Sequence, residues 1–283
     1  MNKKIFSENC NLSSYTTIKV GGVAEYFAEP RSVEELSYLI KWANLNKQRC
    51  QIIGAGSNLL INNIFIKGLV ICTKKLKSLK IEPYSGIVEA EAGVMLPTLS
   101  NSLAKNGLQG GEWAVGIPGT LGGAIYMNAG TGNLSLAKNL ISVKVINNST
   151  HETLDIEKKD INFQYRFSSF QRNDLTIISA RLHFEPNGNL KQLFQTTRNN
   201  LKLKTETQPY HQPSFGSVFK NPDNNYAAKL IDDMGLKGFK IGGAEISTMH
   251  SNFIINNSSA SSKDIYQLIF SPPFTNIKTP FSG

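Results

Sequence analysis

Cysteine and histidine are scarce in this sequence, and neither is spaced like a set of metal ligands. The three cysteines (Cys10, Cys50 and Cys72) form no CxxC pair, and the four histidines form no HxxxH pair. An odd number of cysteines without such spacing argues against a disulfide framework and against a zinc site. We therefore expect a reduced protein without a metal centre.

Segments that target or span a membrane are also missing. The N-terminal residues lack the apolar run of a secretory signal. The 25 uncharged residues from Trp113 to Ala137 include six glycines, Pro118 and two asparagines instead of a sustained aliphatic block. A transmembrane helix needs about 20 predominantly apolar residues, so this stretch predicts loops and buried turns. We expect a cytoplasmic protein that has no membrane partner.

Charged residues are fewer than in an average soluble domain. They make up 18% of the 283 residues, whereas 40% are hydrophobic, which is enough to build a core and excludes wholesale disorder. The 30 Lys and Arg against 21 Asp and Glu give a net charge of +9, which favours anionic partners. The lysines are scattered and not massed in one tail, so we do not expect a nucleic-acid partner.

The order of helical and strand patterns predicts an α+β protein of about two domains. Apolar residues recur at helical spacing after Ser32, which stands three residues before Glu35 as in a capping box, and again over Leu190–Lys204. Strands and helices do not alternate strictly, which is typical of α+β folds. A cluster of turn residues at positions 185–189 predicts the domain boundary. Further strands are predicted at residues 51–53, 69–72, 86–92, 140–146, 175–184 and 252–256, and further helices at residues 97–106, 226–234 and 261–269.

A first glycine-rich loop follows the predicted strand at residues 51–53. Glycines permit positive φ and let backbone N–H groups approach an anion, so this loop is a candidate phosphate nest. Leu59 occupies the third glycine position of GxGxxG, and no GxxxxGK[ST] motif occurs anywhere. A tight turn between strands is the alternative interpretation. The candidate residues of this loop are Gly54, Ala55, Gly56, Ser57, Asn58 and Leu59.

A second glycine-rich stretch lies about 60 residues further along the chain. Its glycines, proline and threonine predict a rigid loop with exposed N–H donors, and two such loops in one domain favour a dinucleotide with a pyrophosphate bridge. A glycine-rich turn at a strand crossing is the alternative. The candidate residues are Gly116, Ile117, Pro118, Gly119, Thr120 and Gly123, followed by Asn128, Ala129 and Gly130.

An aromatic segment carries the third candidate. Arg166 stands among aromatic residues in Phe163–Phe170, where packing can hold the side chain and leave the guanidinium to face a charge. Only 6 arginines occur against 24 lysines, which hints that the forked shape of the guanidinium matters here. A surface ion pair is the alternative.

The fourth candidate is Ser217, which follows a glycine and precedes an apolar pair. In such a setting a hydroxyl can face a cleft and act as a proton donor. Phe219 stands where a GxSxG motif needs glycine, so no hydrolase nucleophile elbow is indicated. Lys220 and Asn221 can serve phosphate or sugar oxygens. A turn followed by a strand end is the alternative.

Taken in this order, the segments resemble the UDP-N-acetylenolpyruvoylglucosamine reductase family. The resemblance begins at TTIKVGG (residues 16–22) and continues through GAGSNLL, GIPGTLGGA, MNAG, YRFSSF and GSVFKNP to the histidine-containing segment that ends at Ile254. It covers roughly residues 12–269. Each motif alone is weak, but their joint order is very specific, and the short form of the family is the closer match.

The resemblance implies a fold, a cofactor and a reaction. It implies a vanillyl-alcohol-oxidase-type FAD-binding domain of two α+β subdomains over residues 1–188, and a smaller α+β substrate-binding domain over residues 189–283. The FAD pyrophosphate is expected on the two glycine loops, and the absence of His and Cys from both predicts non-covalent binding. In this family NADPH reduces FAD and leaves, after which UDP-N-acetylglucosamine enolpyruvate enters and is reduced to UDP-N-acetylmuramate for peptidoglycan synthesis.

The resemblance also implies catalytic and substrate-binding residues. Arg166 matches the family arginine, whose charge stabilises the negative charge that builds up when hydride adds to an enol ether beside a carboxylate. Ser217 matches the family serine that donates a proton. The residues expected on the substrate side are Tyr165, Lys220, Asn221 and His250, with Asn221 as a diphosphate contact.

The C-terminal sequence departs from the family pattern. The family ends in an extended helix and a short segment whose glutamate joins the arginine, but no acidic residue follows Asp264 here. The third catalytic residue therefore cannot be carried over. We expect a frameshifted or damaged terminus after residue 269, which keeps a non-catalytic FAD- or nucleotide-binding protein of the same fold as the alternative function.

Overall fold

The structure is a computed structural model that describes residues 5–62 and 64–271. Most of the atypical C-terminal segment lies outside the described residues. The helices are α1 (Val33–Leu45), α2 (Leu96–Lys105), α3 (Leu121–Tyr126), α4 (Leu136–Asn139), α5 (Leu190–Thr207), α6 (Ala227–Asp233) and α7 (Ser262–Ile269). The first nine strands are β1 (Ser7–Asn11), β2 (Val23–Ala28), β3 (Cys50–Ile53), β4 (Phe65–Cys72), β5 (Leu79–Glu82), β6 (Ile87–Glu91), β7 (Gly130–Thr131), β8 (Leu134–Ser135) and β9 (Leu140–Asn147). The other strands are β10 (Thr153–Glu157), β11 (Phe163–Gln164), β12 (Phe167–Ser168), β13 (Leu175–His183), β14 (Ser214–Ser217), β15 (Lys240–Ile241), β16 (Ala244–Ile246) and β17 (Phe253–Asn256).

The first sheet has the strand order β1-β2-β4-β3, and β3 and β4 run parallel. Helix α1 packs beside it because its apolar residues recur on one face, and Leu36, Leu39 and Ile40 are buried. The predicted cap is present, since Ser32 Oγ accepts a hydrogen bond from the Glu35 N–H at 3.2 Å. The Glu35 carboxylate bonds the N–H of Arg31 instead of that of Ser32, so the cap is not the reciprocal box that we expected.

The second sheet is antiparallel, with the strand order β10-β9-β13-β6-β5. Strand β6 alternates buried residues with more exposed ones, β13 has three consecutive buried residues, and helices α2 and α3 contribute to the same core. Val88, Leu99, Leu121 and Val143 are among its fully buried members. The second glycine loop packs against this core.

The third sheet has the strand order β14-β17-β16-β15 and shares a core with α6 and α7. Ile18 and Val20, from the start of the chain, are buried in the same core. The capping box of α7 is complete, because Ser261 Oγ accepts from the Asp264 N–H while the Asp264 carboxylate accepts from the Ser261 N–H. In the described residues, no helix is both long enough and apolar enough to cross a membrane.

Compactness divides the chain into two units that are each discontinuous in sequence. Of the described residues, the first unit takes 5–10, Ala24–Ala55 and Lys67–Lys202, and the second takes Asn11–Val23, 56–62, 64–66 and 203–271. Residues 11–23 belong to the second unit because Ile18 and Val20 are buried in its core. The functional boundary between residues 188 and 189 remains a prediction.

Candidate active site

The two predicted pyrophosphate loops meet at Gly54 and Thr120 in the first unit. Gly54 follows β3, and a Cβ placed on it would lie 2.3 Å from Thr120 Oγ1. Only glycine fits so close to the threonine, which is itself buried and caps α3 through Gly123 N–H at 3.4 Å. The structure therefore brings the first loop directly against the second, although more than 60 residues of sequence separate them.

Backbone hydrogen bonds hold the second loop. Gly119 donates to the Ile117 carbonyl at 2.8 Å, and the Gly119 carbonyl accepts from Leu96 N–H at 2.9 Å. Gly116 is buried, whereas Pro118 is exposed and Ile117 is half-buried. The Gly119 N–H is thus engaged within the loop, and the exposure of N–H donors expected from composition does not extend to this one.

Asn128, Ala129 and Gly130 follow α3 and adjoin the arginine candidate. Asn128 has φ +43 and donates from Nδ2 to the Gln164 carbonyl at 2.9 Å. Its Oδ1 is buried and has no hydrogen-bond partner among the described residues. Ala129 is tied back to α3, since its N–H donates to the Ala124 carbonyl at 2.8 Å.

Arg166 occupies the two-residue turn between β11 and β12. Its φ is +56, which non-glycine residues seldom adopt. One guanidinium nitrogen donates to the Gly130 carbonyl at 2.9 Å, and the guanidinium carbon lies 5.1 Å from the centre of the Tyr165 ring. This one hydrogen bond leaves the other N–H groups of the fork for a ligand, and no ion pair with an acid is found among the described residues.

A cavity of about 190 Å³ opens beside this arginine. Its wall combines the guanidinium of Arg166 and the ring of Tyr165 with Asn128 and the β7–β8 turn. A basic fork and an unpartnered amide oxygen suit a ligand that has both an anionic group and a hydrogen-bond donor. A larger cavity of about 620 Å³ lies at the start of α1 and contains none of the predicted site residues.

Gly56 and Ser57 belong to the second unit, together with the serine candidate. Gly56 has φ +64, and a Cβ on it would lie 2.1 Å from the Tyr15 carbonyl oxygen. A Cβ on Gly216, in β14, would lie 3.8 Å from the Ser57 carbonyl oxygen. The first glycine loop therefore runs beside the strand that carries Ser217, while Asn58 and Leu59 are exposed.

Ser217 ends β14 and is exposed, with buried Phe215 and Val218 on either side. Asn252 holds the following backbone: its Oδ1 accepts from Phe219 N–H at 2.8 Å and its Nδ2 donates to the Phe219 carbonyl at 2.9 Å. The buried neighbours and this amide clamp fix the backbone from which the Ser217 hydroxyl projects. The hydroxyl is thus exposed at a strand end, which both interpretations of this segment allow, and its role as a proton donor stays a prediction.

The substrate-side candidates of the second unit differ in their surroundings. Lys220 is half-buried and Asn221 is exposed, with Asn221 Oδ1 accepting from the Ala227 N–H that starts α6 at 3.1 Å. His250 lies edge-on to Phe253, and its Nδ1 accepts from Asn252 N–H at 3.3 Å. Burial lowers the pKa of His250 below its ordinary value, and nearby lysine charges lower it further. His250 therefore favours the neutral form, with its proton on Nε2.

Two residues near these candidates were missed by reasoning from sequence. Asn252 is 4% exposed and clamps Phe219, and Thr17 bonds both the first glycine loop and β14. Both lie in segments that carry the family resemblance, but their roles were not predicted because their hydrogen-bond partners are distant in sequence. Glu245 is buried, and its carboxylate accepts from Asn257 Nδ2 and pairs with Lys240 Nζ at 3.3 Å, so it is already engaged within the second unit.

Two family models match this chain. One, described as the C-terminal domain of UDP-N-acetylenolpyruvoylglucosamine reductase, matches residues 208–271. The other, described as an FAD binding domain, matches residues 24–156. They contain the serine candidate and both glycine loops, respectively. The matched order, FAD domain first, agrees with the expected fold of an FAD-binding domain followed by a substrate-binding domain.

Similar proteins carry the same name. The chain is 72% identical over 264 residues to "UDP-N-acetylenolpyruvoylglucosamine reductase" of Prochlorococcus marinus subsp. pastoris strain MED4, covering 93% of this chain and 89% of that relative. A second relative of that name, from Prochlorococcus marinus strain NATL2A, is 49% identical and covers 95% of this chain and 92% of its own length.

Solved structures agree with these relatives. The crystal structure of UDP-N-acetylenolpyruvylglucosamine reductase from Thermus caldophilus has a TM-score of 0.81 at 30% identity, and the match covers 93% of each chain. A glucose oxidase variant of Phl p 4 has a TM-score of 0.50 at 12% identity over 66% of this chain and 42% of its own length, which indicates shared fold alone. This chain therefore belongs to the UDP-N-acetylenolpyruvoylglucosamine reductase family.

Proposed function

We propose that this chain reduces the enolpyruvyl group of UDP-N-acetylglucosamine enolpyruvate to give UDP-N-acetylmuramate in peptidoglycan synthesis. It is an FAD-dependent oxidoreductase, and NADPH is the reductant. The observation that carries this conclusion is 72% identity over 93% of the chain to a reductase of that name. The Arg166 cavity agrees with it, because a carboxylate-bearing substrate needs a positive fork of this kind.

The described residues fit FAD. Gly54 and Gly56 each stand where a Cβ would collide with the protein, at 2.3 Å and 2.1 Å, so the first glycine loop packs tightly against its neighbours at both positions and needs glycine there. The buried Asn128 Oδ1 lacks a partner among the described residues, and a ligand N–H or hydroxyl would satisfy it. We therefore assign the cofactor to the loops Gly54–Leu59 and Gly116–Thr120 with Gly123 and Asn128–Gly130.

Bound FAD would carry hydride from NADPH to the enolpyruvyl double bond. Arg166 would bind the carboxylate beside that bond, since its guanidinium already borders the cavity and is oriented by Gly130 and Tyr165. Because the positive charge of Arg166 is already in place, it stabilises the negative charge that develops beside the carboxylate in the transition state. Tyr165 would flank the same ligand with its ring.

Ser217 would deliver the proton to the carbon next to the one that receives hydride. Its hydroxyl is exposed at the end of β14, and the Asn252 clamp fixes the following backbone. A hydroxyl held in place can transfer its proton without the cost of ordering a water molecule. Lys220, Asn221 and His250 would bind the nucleotide part of the substrate, with Asn221 at the diphosphate. A cytoplasmic location is part of the same proposal.

Anaerobic stopped-flow measurements test both the function and the role of Ser217. The purified holoenzyme should oxidise NADPH beyond the one equivalent that reduces its flavin only when the enolpyruvyl sugar nucleotide is present. Ser217→Ala should leave flavin reduction by NADPH unchanged and slow reoxidation by substrate by on the order of 100-fold. Ser214→Ala, on the same strand, is the matched control and should match the unmodified enzyme in both half-reactions.

The other outcomes separate the rival functions. Binding of FAD and the sugar nucleotide without reoxidation would indicate a non-catalytic nucleotide-binding protein. Oxygen consumption with an alcohol or sugar would indicate an oxidase of the same flavin fold. An equal loss in both half-reactions of Ser217→Ala would refute the proton-donor role alone.

A further inference from the structure

The hairpin that carries Arg166 is too short to keep its own shape. Strands β11 and β12 pair only through Phe163 with Ser168 and Gln164 with Phe167. A lone two-stranded hairpin is marginal in water even when it is longer. Its turn also places Arg166 at φ +56, a sparsely populated region for an arginine. Groups outside the hairpin must therefore hold the arginine in its orientation.

The C-terminal end of α3 and the residues just after it supply these groups, and they bond both strands of the hairpin. On the β12 side, Ser168 Oγ donates to the Tyr126 carbonyl at 2.7 Å. On the β11 side, Asn128 Nδ2 donates to the Gln164 carbonyl at 2.9 Å. These two hydrogen bonds lie on either side of the Arg166 turn, so together they restrain its position and its tilt.

Burial makes the serine anchor hard to replace by water. Ser168 is 0% exposed, so water cannot take the place of a lost hydroxyl on β12. Gln171 Nε2 also donates to the Tyr126 carbonyl at 2.8 Å, but Gln171 is only half-buried. Ser168 cannot reach a substrate because it is enclosed, and it acts only through the backbone that it holds.

We propose that Ser168 is a positioning residue for Arg166. Its hydroxyl fixes β12 to Tyr126 at the C-terminal end of α3 and thereby positions Arg166, which lines the cavity together with Tyr165. This inference rests on the proposed role of Arg166 in binding the substrate carboxylate. A misplacement of about 1 Å in such a group lowers rates by on the order of 100-fold.

The test compares Ser168→Ala with Ser169→Ala in the holoenzyme. Ser169 is the next residue, it is half-buried, and its hydroxyl takes part in none of these anchoring hydrogen bonds. Ser168→Ala should weaken binding of the enolpyruvyl sugar nucleotide in calorimetry and slow flavin reoxidation by that substrate 10- to 100-fold, on the order expected for such misplacement. Flavin reduction by NADPH should not change, and Ser169→Ala should match the unmodified enzyme. Ser168→Thr, which keeps the hydroxyl, should recover part of the loss.

Arg166→Gln separates failure of this inference from failure of the proposed function. Where Arg166→Gln slows reoxidation and Ser168→Ala slows it no further in that background, Ser168 acts through the arginine. If Arg166→Gln slows reoxidation but Ser168→Ala behaves like Ser169→Ala, the positioning role is refuted and the function stands. If Arg166→Gln has no effect, both the arginine role and this inference fall. Should Ser168→Ala not fold, Ser168→Cys, which replaces the hydroxyl by a weaker donor, must show the same selective loss of reoxidation, or the inference is overturned.

Discussion

Thr17 donates its side-chain hydroxyl to the carbonyl oxygen of Ser214 at 2.5 Å. Its backbone N–H donates to the Gly56 carbonyl at 3.2 Å. A single threonine thus ties the first glycine loop to β14, the strand that ends at Ser217. Because these residues all lie in the second unit, the loop assigned to the cofactor and the proposed proton donor share one scaffold.

Thr17→Val should weaken that scaffold, because it removes the hydroxyl while it keeps nearly the same side-chain volume. Loss of a hydrogen bond to a main-chain carbonyl costs about 1 kcal/mol, which corresponds to about a fivefold loss of affinity if it falls on the cofactor complex. Urea unfolding and FAD titration measure the two effects. Thr17→Ser keeps the hydroxyl and is the control. Unchanged stability and unchanged FAD affinity in Thr17→Val would contradict a linking role for this residue.

Gly56→Ala should abolish FAD binding, whereas Gly235→Ala should not. Both glycines have positive φ, +64 and +69, so both variants carry the same backbone strain of about 1 kcal/mol. Only at Gly56 would the new Cβ lie 2.1 Å from the Tyr15 carbonyl, since nothing lies within 4 Å at Gly235. The flavin absorbance that remains with the purified protein reports the result. Equal flavin content in the two variants would show that the tight approach at Gly56 does not shape the cofactor loop.

Cys50 should resist alkylation in the folded protein. Burial raises the pKa of its thiol to about 11, and the charge of Asp174 adds to the effect. At pH 8 about 0.1% of the thiol is then ionised, so iodoacetamide should react about 100-fold more slowly than with an ordinary cysteine. Mass spectrometry of peptides labelled with and without urea checks this. Rapid labelling of Cys50 in the native protein would disprove it.

The free energy of unfolding should decrease in mild acid because His250 is protonated more readily in the unfolded chain than in the folded one. Burial lowers the pKa of this side chain, and the charges of Lys204 and Lys237 lower it further. The unfolded chain therefore takes up a proton first, and the free energy of unfolding decreases as the pH drops below about 6.5. His250→Asn, which keeps an acceptor for the Asn252 N–H, should flatten this part of the profile. Urea unfolding at pH 7.5 and 5.5 measures it, and an identical slope in both proteins would exclude His250 as the cause.

Much of the secondary structure follows from local sequence. The helical spacing after Ser32 predicted α1, and the observed bounds of α2, α5, α6 and α7 lie within three residues of those expected. Strand β3, which follows α1, was also predicted, and so was the loop that follows β3 in sequence. Such features depend on neighbours a few residues apart, so they can be derived from the order of residues alone.

The hairpin β11–β12 was not predicted, although it carries Arg166. Its strands are two residues long, and its turn places an arginine, not a glycine, at positive φ. Neither property leaves a local signal, because the hairpin is stabilised by Ser168 and Asn128 through bonds to distant backbone. The motif indicated that this arginine matters, but not what holds it.

The sequence by itself determined the family, the two glycine loops and the residue types at the proposed site, because these depend on the identity and order of side chains. Only the tertiary structure decided which distant groups meet. It set Gly54 against Thr120, and it joined Thr17 to Ser214 across 197 residues. It also placed Ile18 and Val20 in the core of the second unit. Such contacts are selected by burial and close packing over the whole chain, and no short stretch of sequence contains that information.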